Sequence, residues 1–244
     1  MEWTDDAIVL GVRKHGETSV VAELMTRERG RHLGLVQGGR SRTMRPTLQP
    51  GNSVKAVWRA RLDEHLGQFK IEPGKLRAAE LMENSHGIYA LQTLVTLVRL
   101  LPERDAHPDL FATLQIILDH LSSPEIAGEL VVRFELAMLD ELGFGLDFSS
   151  CAATGATQDL VYVSPKSGKA VSRSGGHDYR DRLLPLPSFL LRDNYSRSET
   201  VTVEEILDGF SLTGYFLNRH VYGPRALQSP SERAGLIRAI DKSS

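Results

Sequence analysis

Arg27-Glu28-Arg29-Gly30-Arg31-His32-Leu33-Gly34-Leu35-Val36-Gln37-Gly38-Gly39-Arg40-Ser41-Arg42-Thr43-Met44-Arg45 carries six arginines against one acid, Glu28. The arginines form two clusters, Arg27/Arg29/Arg31 and Arg40/Arg42/Arg45. Between them the alternation at Leu33 and Leu35 reads as one short β-strand, His32 to Gln37, with basic residues at both ends. Glu28-Arg29-Gly30 turns the chain into that strand and Gly38-Gly39 lies just beyond it. Such a strand presents a cationic rim. Guanidinium groups pair bidentately with phosphates without reading sequence, and paired glycines let backbone approach a ligand closely, so the stretch points to a polyanion, most simply a nucleic-acid backbone. The bland alternative is solvated surface and nothing more.

Toward the N-terminus, Ala7 to Lys14 alternates with Ile8, Leu10 and Val12 on one face and Val9 and Arg13 on the other. Ser19 to Met25 repeats the pattern with Val20, Ala22 and Leu24 inward. Toward the C-terminus, a loop from Gly38 to Asn52 closes with Pro50-Gly51. Ser53 to Arg61 then sets Val54, Ala56, Trp58 and Ala60 against Lys55, Val57, Arg59 and Arg61. A fifth strand around Gln68 to Ile71 ends at Pro73-Gly74. Five short strands in the first 80 residues suit a small closed barrel of the OB type, which leaves no exposed edge. Arg13, Arg59 and Arg61 have outward parity and extend the two clusters into one expected cationic surface. Trp3, Trp58 and Phe69 are the barrel's few aromatics, and Trp58 has core parity. Contact is therefore expected mainly with phosphate, on single strands and duplexes alike.

From Leu81 the period becomes helical. Ser85 to Leu101 (Ile88, Leu91, Leu94 or Val95, Val98) stops at Pro102. A second helix begins at Pro108 and buries Leu110, Leu114, Ile117, Leu118 and Leu121. A third, Glu125 to Leu142, uses Leu130, Phe134, Met138 and Leu142, with Gly143 as its C-cap. Cys151 to about Tyr195 is rich in glycine and proline and holds one strand, Leu160 to Val163. Thr202-Val203-Glu204-Glu205 is a capping box opening a helix that ends at Gly223-Pro224, and Ser231 to Ile240 forms the last helix. The reading is an α+β, multidomain chain. An OB barrel spans 1–80 and a helical bundle domain spans 81–244, with an irregular loop-rich insert at about 148–195.

Composition is that of an ordinary globular protein of 244 residues, 41% hydrophobic and 25% charged. The net charge of -2 conceals an asymmetry: residues 1–80 hold 14 Lys+Arg and 10 Asp+Glu, and residues 81–244 hold 15 and 21. A basic head joins an acidic body. A single cysteine rules out an internal disulfide and a four-cysteine zinc site, and fits a reducing cytoplasm. The start Met-Glu-Trp-Thr-Asp-Asp does not read as a signal peptide, and the Asn194-Tyr195-Ser196 sequon is taken as chance.

Ser167-Gly168-Lys169-Ala170 lacks the leading glycine and final hydroxyl of a P-loop. Ser174-Gly175-Gly176 lacks the first glycine of a nucleophile elbow, and no His-Glu-x-x-His pair occurs. Cys151 reads as a small packed residue rather than a nucleophile. No cofactor, metal or catalytic activity is expected. The residues alone leave an OB-type RNA-binding or translation accessory protein open.

Several strings in shared order are similar to the bacterial RecO family of recombination mediators: Gly16-Glu17-Thr18-Ser19, Thr26-Arg27-Glu28-Arg29-Gly30-Arg31, Gly38-Gly39-Arg40-Ser41, Leu48-Gln49-Pro50, Arg133-Phe134-Glu135-Leu136, Leu142-Gly143-Phe144-Gly145-Leu146-Asp147 and Cys151-Ala152-Ala153-Thr154-Gly155. The resemblance covers nearly the whole chain. It implies an N-terminal OB-fold, a helical domain and a cytoplasmic, nucleoid-associated, non-enzymatic protein. Its implied activities are binding single- and double-stranded DNA, annealing complementary strands, binding the C-terminal tail of single-stranded DNA-binding protein (SSB), and with RecR helping to load RecA. The barrel arginines read above are the expected DNA contacts, and Arg133, which adjoins Phe134 on an otherwise apolar helix within one of the similar strings, is with Phe134 the expected contact for the SSB tail. The four-cysteine zinc module of some members is not carried over, because Cys151 has no companion.

Overall fold

The computed structural model describes residues 1–121, 123–191 and 201–242. The Asn194 sequon and the end of the expected insert lie outside them. The chain divides into two compact units, Met1–Leu121 and Ser122–Ser244.

In the first unit β1 (Glu2–His15), β2 (Ser19–Thr26), β3 (Gly30–Val36), β4 (Ser53–Arg59) and β5 (Gln68–Pro73) close a barrel in the order β1-β2-β3-β5-β4. All pairs are antiparallel except β3–β5, which close the barrel in parallel at Leu35 and Gln68. β1 is long enough to pair with β4 over Glu2–Ile8 and with β2 over Ala7–His15, with a register shift between Val9 and Gly11. The expected five-stranded OB-type barrel is present.

Two faces differ from expectation. Ala7 and Val9 enter the barrel core, whereas Ile8 and Leu10 are buried on the other face of β1. A strand covered on both sides reads as a continuous apolar run, so alternation there cannot say which side is inward. In β3 the inward residues are His32, Gly34 and Val36, and Leu33 and Leu35 are only half-buried. The core demanded space rather than hydrophobicity at that face: a Cβ on Gly34 would lie 2.5 Å from the Phe69 ring. Val20, Ala22, Leu24, Val54, Ala56 and Trp58 point inward as expected.

A four-residue turn of helix, α1 (Met44–Thr47), follows β3. α2 (Ala78–Met82), α3 (Ser85–Val98) and α4 (Pro108–Leu118) follow the barrel and complete the first unit. Leu110, Leu114, Ile117, Leu118 and Leu121 are all buried.

The second unit is built on α5 (Pro124–Glu141), which Ser123 caps through Ile126 N–H. Its buried face is Val131, Val132, Phe134, Glu135, Met138 and Leu139, while Leu130 and Leu142 are only half-buried. The loop-rich region holds a three-stranded sheet, not one strand: β6 (Leu160–Val163) lies between β7 (Ala170–Ser172) and β8 (Leu184–Pro185). α6 (Arg173–Gly176) leads into a short turn of 3-10 helix at His177–Arg182. Cys151 is 3% exposed, and its sulfur accepts from Ser172 N (3.2 Å) and Ser172 Oγ (3.3 Å). Burial pushes this thiol up, but those hydrogen bonds outweigh burial and bring it down to about 6. α7 (Val203–Leu217) opens on the Thr202/Glu205 capping box and runs into a wider turn at Asn218–Tyr222. α8 (Ser231–Asp241) ends the described chain. Glu135, fully buried, receives Arg233 Nε (2.6 Å) and Nη2 (3.0 Å) and the Thr213 hydroxyl, which fastens α8 to α5 and α7.

Candidate nucleic-acid interface

Pairing along the barrel decides where each arginine goes. Thr26 faces Gly30 at one end of the β2–β3 pair and Val20 faces Val36 at the other. At about 3.3 Å per residue the two arginine clusters lie roughly 20 Å apart along β3. They do not form one rim.

At the β2–β3 turn the arginines are largely engaged. Arg31 is half-buried; its Nη1 meets Glu23 at 2.9 Å and Glu103 at 3.5 Å, and its Nε and Nη2 donate to the Leu101 carbonyl. Arg27 lies over the Phe111 ring, 5.1 Å from its centre, and 3.8 Å from Asp6. Asp5 accepts from Glu28 N–H, bringing another acid to the turn. Arg29 is exposed, and its side chain makes no hydrogen bond or ion pair among the described residues. Arg59, at the end of β4, is paired with Glu2 at the start of β1 (2.8 Å), and this contact holds the Glu2 carboxyl below its usual value. Arg61, two residues on, is exposed and unpaired among the described residues. Through Gln68 the pairing puts Arg59 in register with Leu35 of β3, away from the β2–β3 turn, and the arginines differ in how far the protein has already engaged them.

The other end differs. Beyond Gly11 the β1–β2 hairpin protrudes, and Arg13, Lys14 and His15 are all exposed. Arg40 N donates to the Thr18 carbonyl at 3.0 Å, and Arg40 Nη1 donates to the carbonyls of Gly16 and Glu17. Arg40 therefore seats the β3–β4 loop against the hairpin tip. Arg45 N donates to the Ser41 carbonyl at 3.0 Å, and Met44 N donates to Ser41 Oγ at 3.2 Å, which winds the loop into α1. Arg13, Lys14, Arg42 and Arg45 have exposed side chains that make no hydrogen bond or ion pair among the described residues. Glu17 is the one acid at the tip, and no Asp or Glu occurs from Arg29 to Leu62. The two glycines serve the fold: Gly38 has φ +65°, and a Cβ on Gly39 would lie 2.5 Å from Val20 Cγ2.

Lys14 was missed because strand parity assigns alternate residues to opposite faces, whereas a hairpin that projects past the barrel exposes both. Its position next to Arg13 just before Gly16-Glu17 was the available signal. The arrangement is a set of uncompensated cations on a braced backbone. It can hold phosphates by charge, contacts that carry no sequence code.

Two family profiles match this chain, one described as "Recombination protein O N terminal" over residues 1–75 and one as "Recombination protein O C terminal" over residues 83–228. The chain belongs to the recombination protein O (RecO) family. Its relatives include the DNA repair protein RecO of Rhizobium etli, 59% identical over 242 residues, covering 99% of this chain and 93% of that protein. Those of Sinorhizobium medicae (57%; 99% and 96%) and Methylorubrum extorquens (58%; 97% of each) are similar over the same extent.

Arg133 and Phe134, the residues expected to meet the SSB tail, lie on α5. Arg133 donates from Nε to Glu129 (3.1 Å) and from Nη2 to the Phe189 carbonyl (2.7 Å), and sits 5.5 Å from the Phe189 ring centre. Phe134 is fully buried and offers no surface. Among the described residues no group of three His, Cys, Asp or Glu is placed to hold a metal, and no helix is long and apolar enough to cross a membrane.

Proposed function

We propose that this chain is a recombination mediator that binds single- and double-stranded DNA and anneals complementary strands. With RecR it helps load RecA onto SSB-coated DNA, without catalysing a reaction itself. The observation that carries the reading is the hairpin end of the barrel, where Arg13 and Lys14 on the β1–β2 hairpin and Arg42 and Arg45 on the loop that Arg40 braces against it have no partners among the described residues. Contacts there are to phosphate, so Arg13, Arg42 and Arg45 dominate, with Arg29 and Arg61 as separate free charges. Arg27, Arg31 and Arg59 are mostly satisfied within the protein. In the second unit Arg133 is the group for the carboxylate of the SSB tail, which takes the place of Glu129 on its Nε while the Phe189 carbonyl keeps the guanidinium beside an aromatic ring, a setting that suits a chain end both apolar and anionic.

Annealing of complementary strands coated with SSB tests this. The folded protein accelerates annealing, and Arg133→Ala loses the acceleration on coated strands while keeping it on naked ones. A folded wild-type protein that anneals neither kind of strand contradicts the mediator reading. Equal behaviour of Arg133→Ala and wild type on coated strands removes Arg133 from the tail contact.

A further inference from the structure

The loop bearing Arg42 and Arg45 is exposed, and at its base the apolar Leu48 and the polar Asn52 fasten it to the barrel. Asn52 is 1% exposed and satisfies its whole amide. Its Nδ2 donates to the carbonyls of Pro46 (2.8 Å) and Thr47 (3.2 Å), at the end of α1. Its Oδ1 accepts from Arg77 N (2.8 Å) and Ala78 N (2.9 Å), where the chain leaves the barrel for α2. Its own carbonyl accepts from Val9 N at 2.9 Å, which ties the residue to β1. On the far side Arg77, itself buried, pairs with Asp119 and donates to Ser53 Oγ at 2.7 Å, so the platform behind Asn52 is held in turn. Leu48, 1% exposed, packs into the barrel core beside it, and Leu48 N closes α1 on the Met44 carbonyl at 3.1 Å.

This geometry has a directional consequence. The acceptor half of the amide serves the platform, and the donor half serves only the cationic loop. An amide with all four bonds made in a dry site holds both partners in one geometry, whereas a group that cannot donate leaves two carbonyls facing an acceptor. From these contacts we infer that Asn52 is a positioning residue for DNA binding: its Nδ2 holds the Pro46–Thr47 turn so that Arg42 and Arg45 project together with Arg13 and Lys14. The inference rests on the DNA-binding reading above and names the residue that makes the loop competent.

The test is DNA affinity against salt for five full-length proteins on one single-stranded oligonucleotide: wild type, Arg42→Ala/Arg45→Ala, Asn52→Asp, Asn52→Ser, and Asn52→Asp combined with the arginine pair. Each lost phosphate contact lowers the slope of log affinity on log salt by about 0.7. Asn52→Asp keeps the acceptor half and loses the donor half. It is expected to lower the slope by about 1.4, as the arginine pair does, and the combined variant to fall no further than either alone. A residue with only a structural role would leave the slope of the folded fraction unchanged and add independently to the arginine pair. If the arginine pair alone leaves the slope unchanged, it is the binding reading that fails. If that pair lowers it while folded Asn52→Asp and Asn52→Ser match wild type, the inference about Asn52 fails. Neither Asn52 variant folding would equally overturn it, because Asn52 would then be holding the barrel rather than the loop.

Discussion

The two ends of β3 use the same residue type in opposite ways. At the β2–β3 turn Arg31 is spent on Glu23, Glu103 and the Leu101 carbonyl, and Arg27 lies on Phe111. At the hairpin end Arg42 and Arg45 have no such partner, and Arg40 is turned back onto backbone carbonyls to brace the loop. The difference teaches that a basic run in sequence is not a basic surface. What a cation can do for a ligand depends on whether the fold has already used it, and acids from distant positions such as Glu23 and Glu103 decide that.

Three measurements sharpen or break this contrast. The largest expected effect concerns His32, inside the barrel between the two ends. It is 3% exposed, lies edge-on to Trp3 and Trp58, and neither ring nitrogen has a hydrogen-bond partner among the described residues. Burial, helped by the Arg104 charge, brings its pKa down to about 4. Above the ordinary histidine value near 6.5 both folded and unfolded chains are neutral there, and stability is full. As pH falls from about 6.5 to about 4 the unfolded chain takes up the proton first, so stability is lost by up to about 3 kcal/mol. Urea denaturation of wild type and His32→Leu across that range reads the difference. A difference that does not change with pH would mean that the barrel interior at this end is wet, and that the inward placement of His32 is wrong.

A smaller effect separates the ends directly. Arg31→Ala leaves Glu23 with Arg99 as its one cation and strands the Leu101 carbonyl, and is expected to cost about 1 to 3 kcal/mol, whereas Arg42→Ala stays within about 0.5 kcal/mol of wild type. Chemical denaturation of the two variants suffices. Equal stabilities would erase the distinction between a spent and a free arginine.

Much of this fold is legible in the sequence, because the strands of a small barrel are short, alternating and punctuated. Val20/Ala22/Leu24 and Val54/Ala56/Trp58 are examples, and Thr202 to Glu205 announces α7 just as plainly. The failures have physical causes. Alternation puts Val9 on the face of the outward Arg13, yet Val9 enters the core and Ile8 is buried too, because β1 is covered on both faces. His32 and Gly34 hid the inward face of β3 because that face needed small or aromatic residues around Trp58 and Phe69 rather than aliphatic ones. The candidate site was half legible: the sequence singles out arginines around one strand and loop, but which of them stay free depends on partners that only folding brings close, from Glu23, 8 positions from Arg31, to Leu101, 70 positions away. Asn52 carried no signal, since its role lies entirely in backbone groups that converge only on folding.

The central claim is that phosphate contact belongs to the hairpin end. It is tested most directly by salt-dependent binding of one single-stranded oligonucleotide to Arg13→Ala/Arg42→Ala/Arg45→Ala and to Arg27→Ala/Arg31→Ala, each checked for folding by circular dichroism. The account predicts a slope lower by about 2 for the first and changed by less than one contact, about 0.7, for the second, with the same pattern on oligonucleotides of different base composition. An unchanged slope in the folded triple variant, or a larger loss from Arg27 and Arg31, would contradict it.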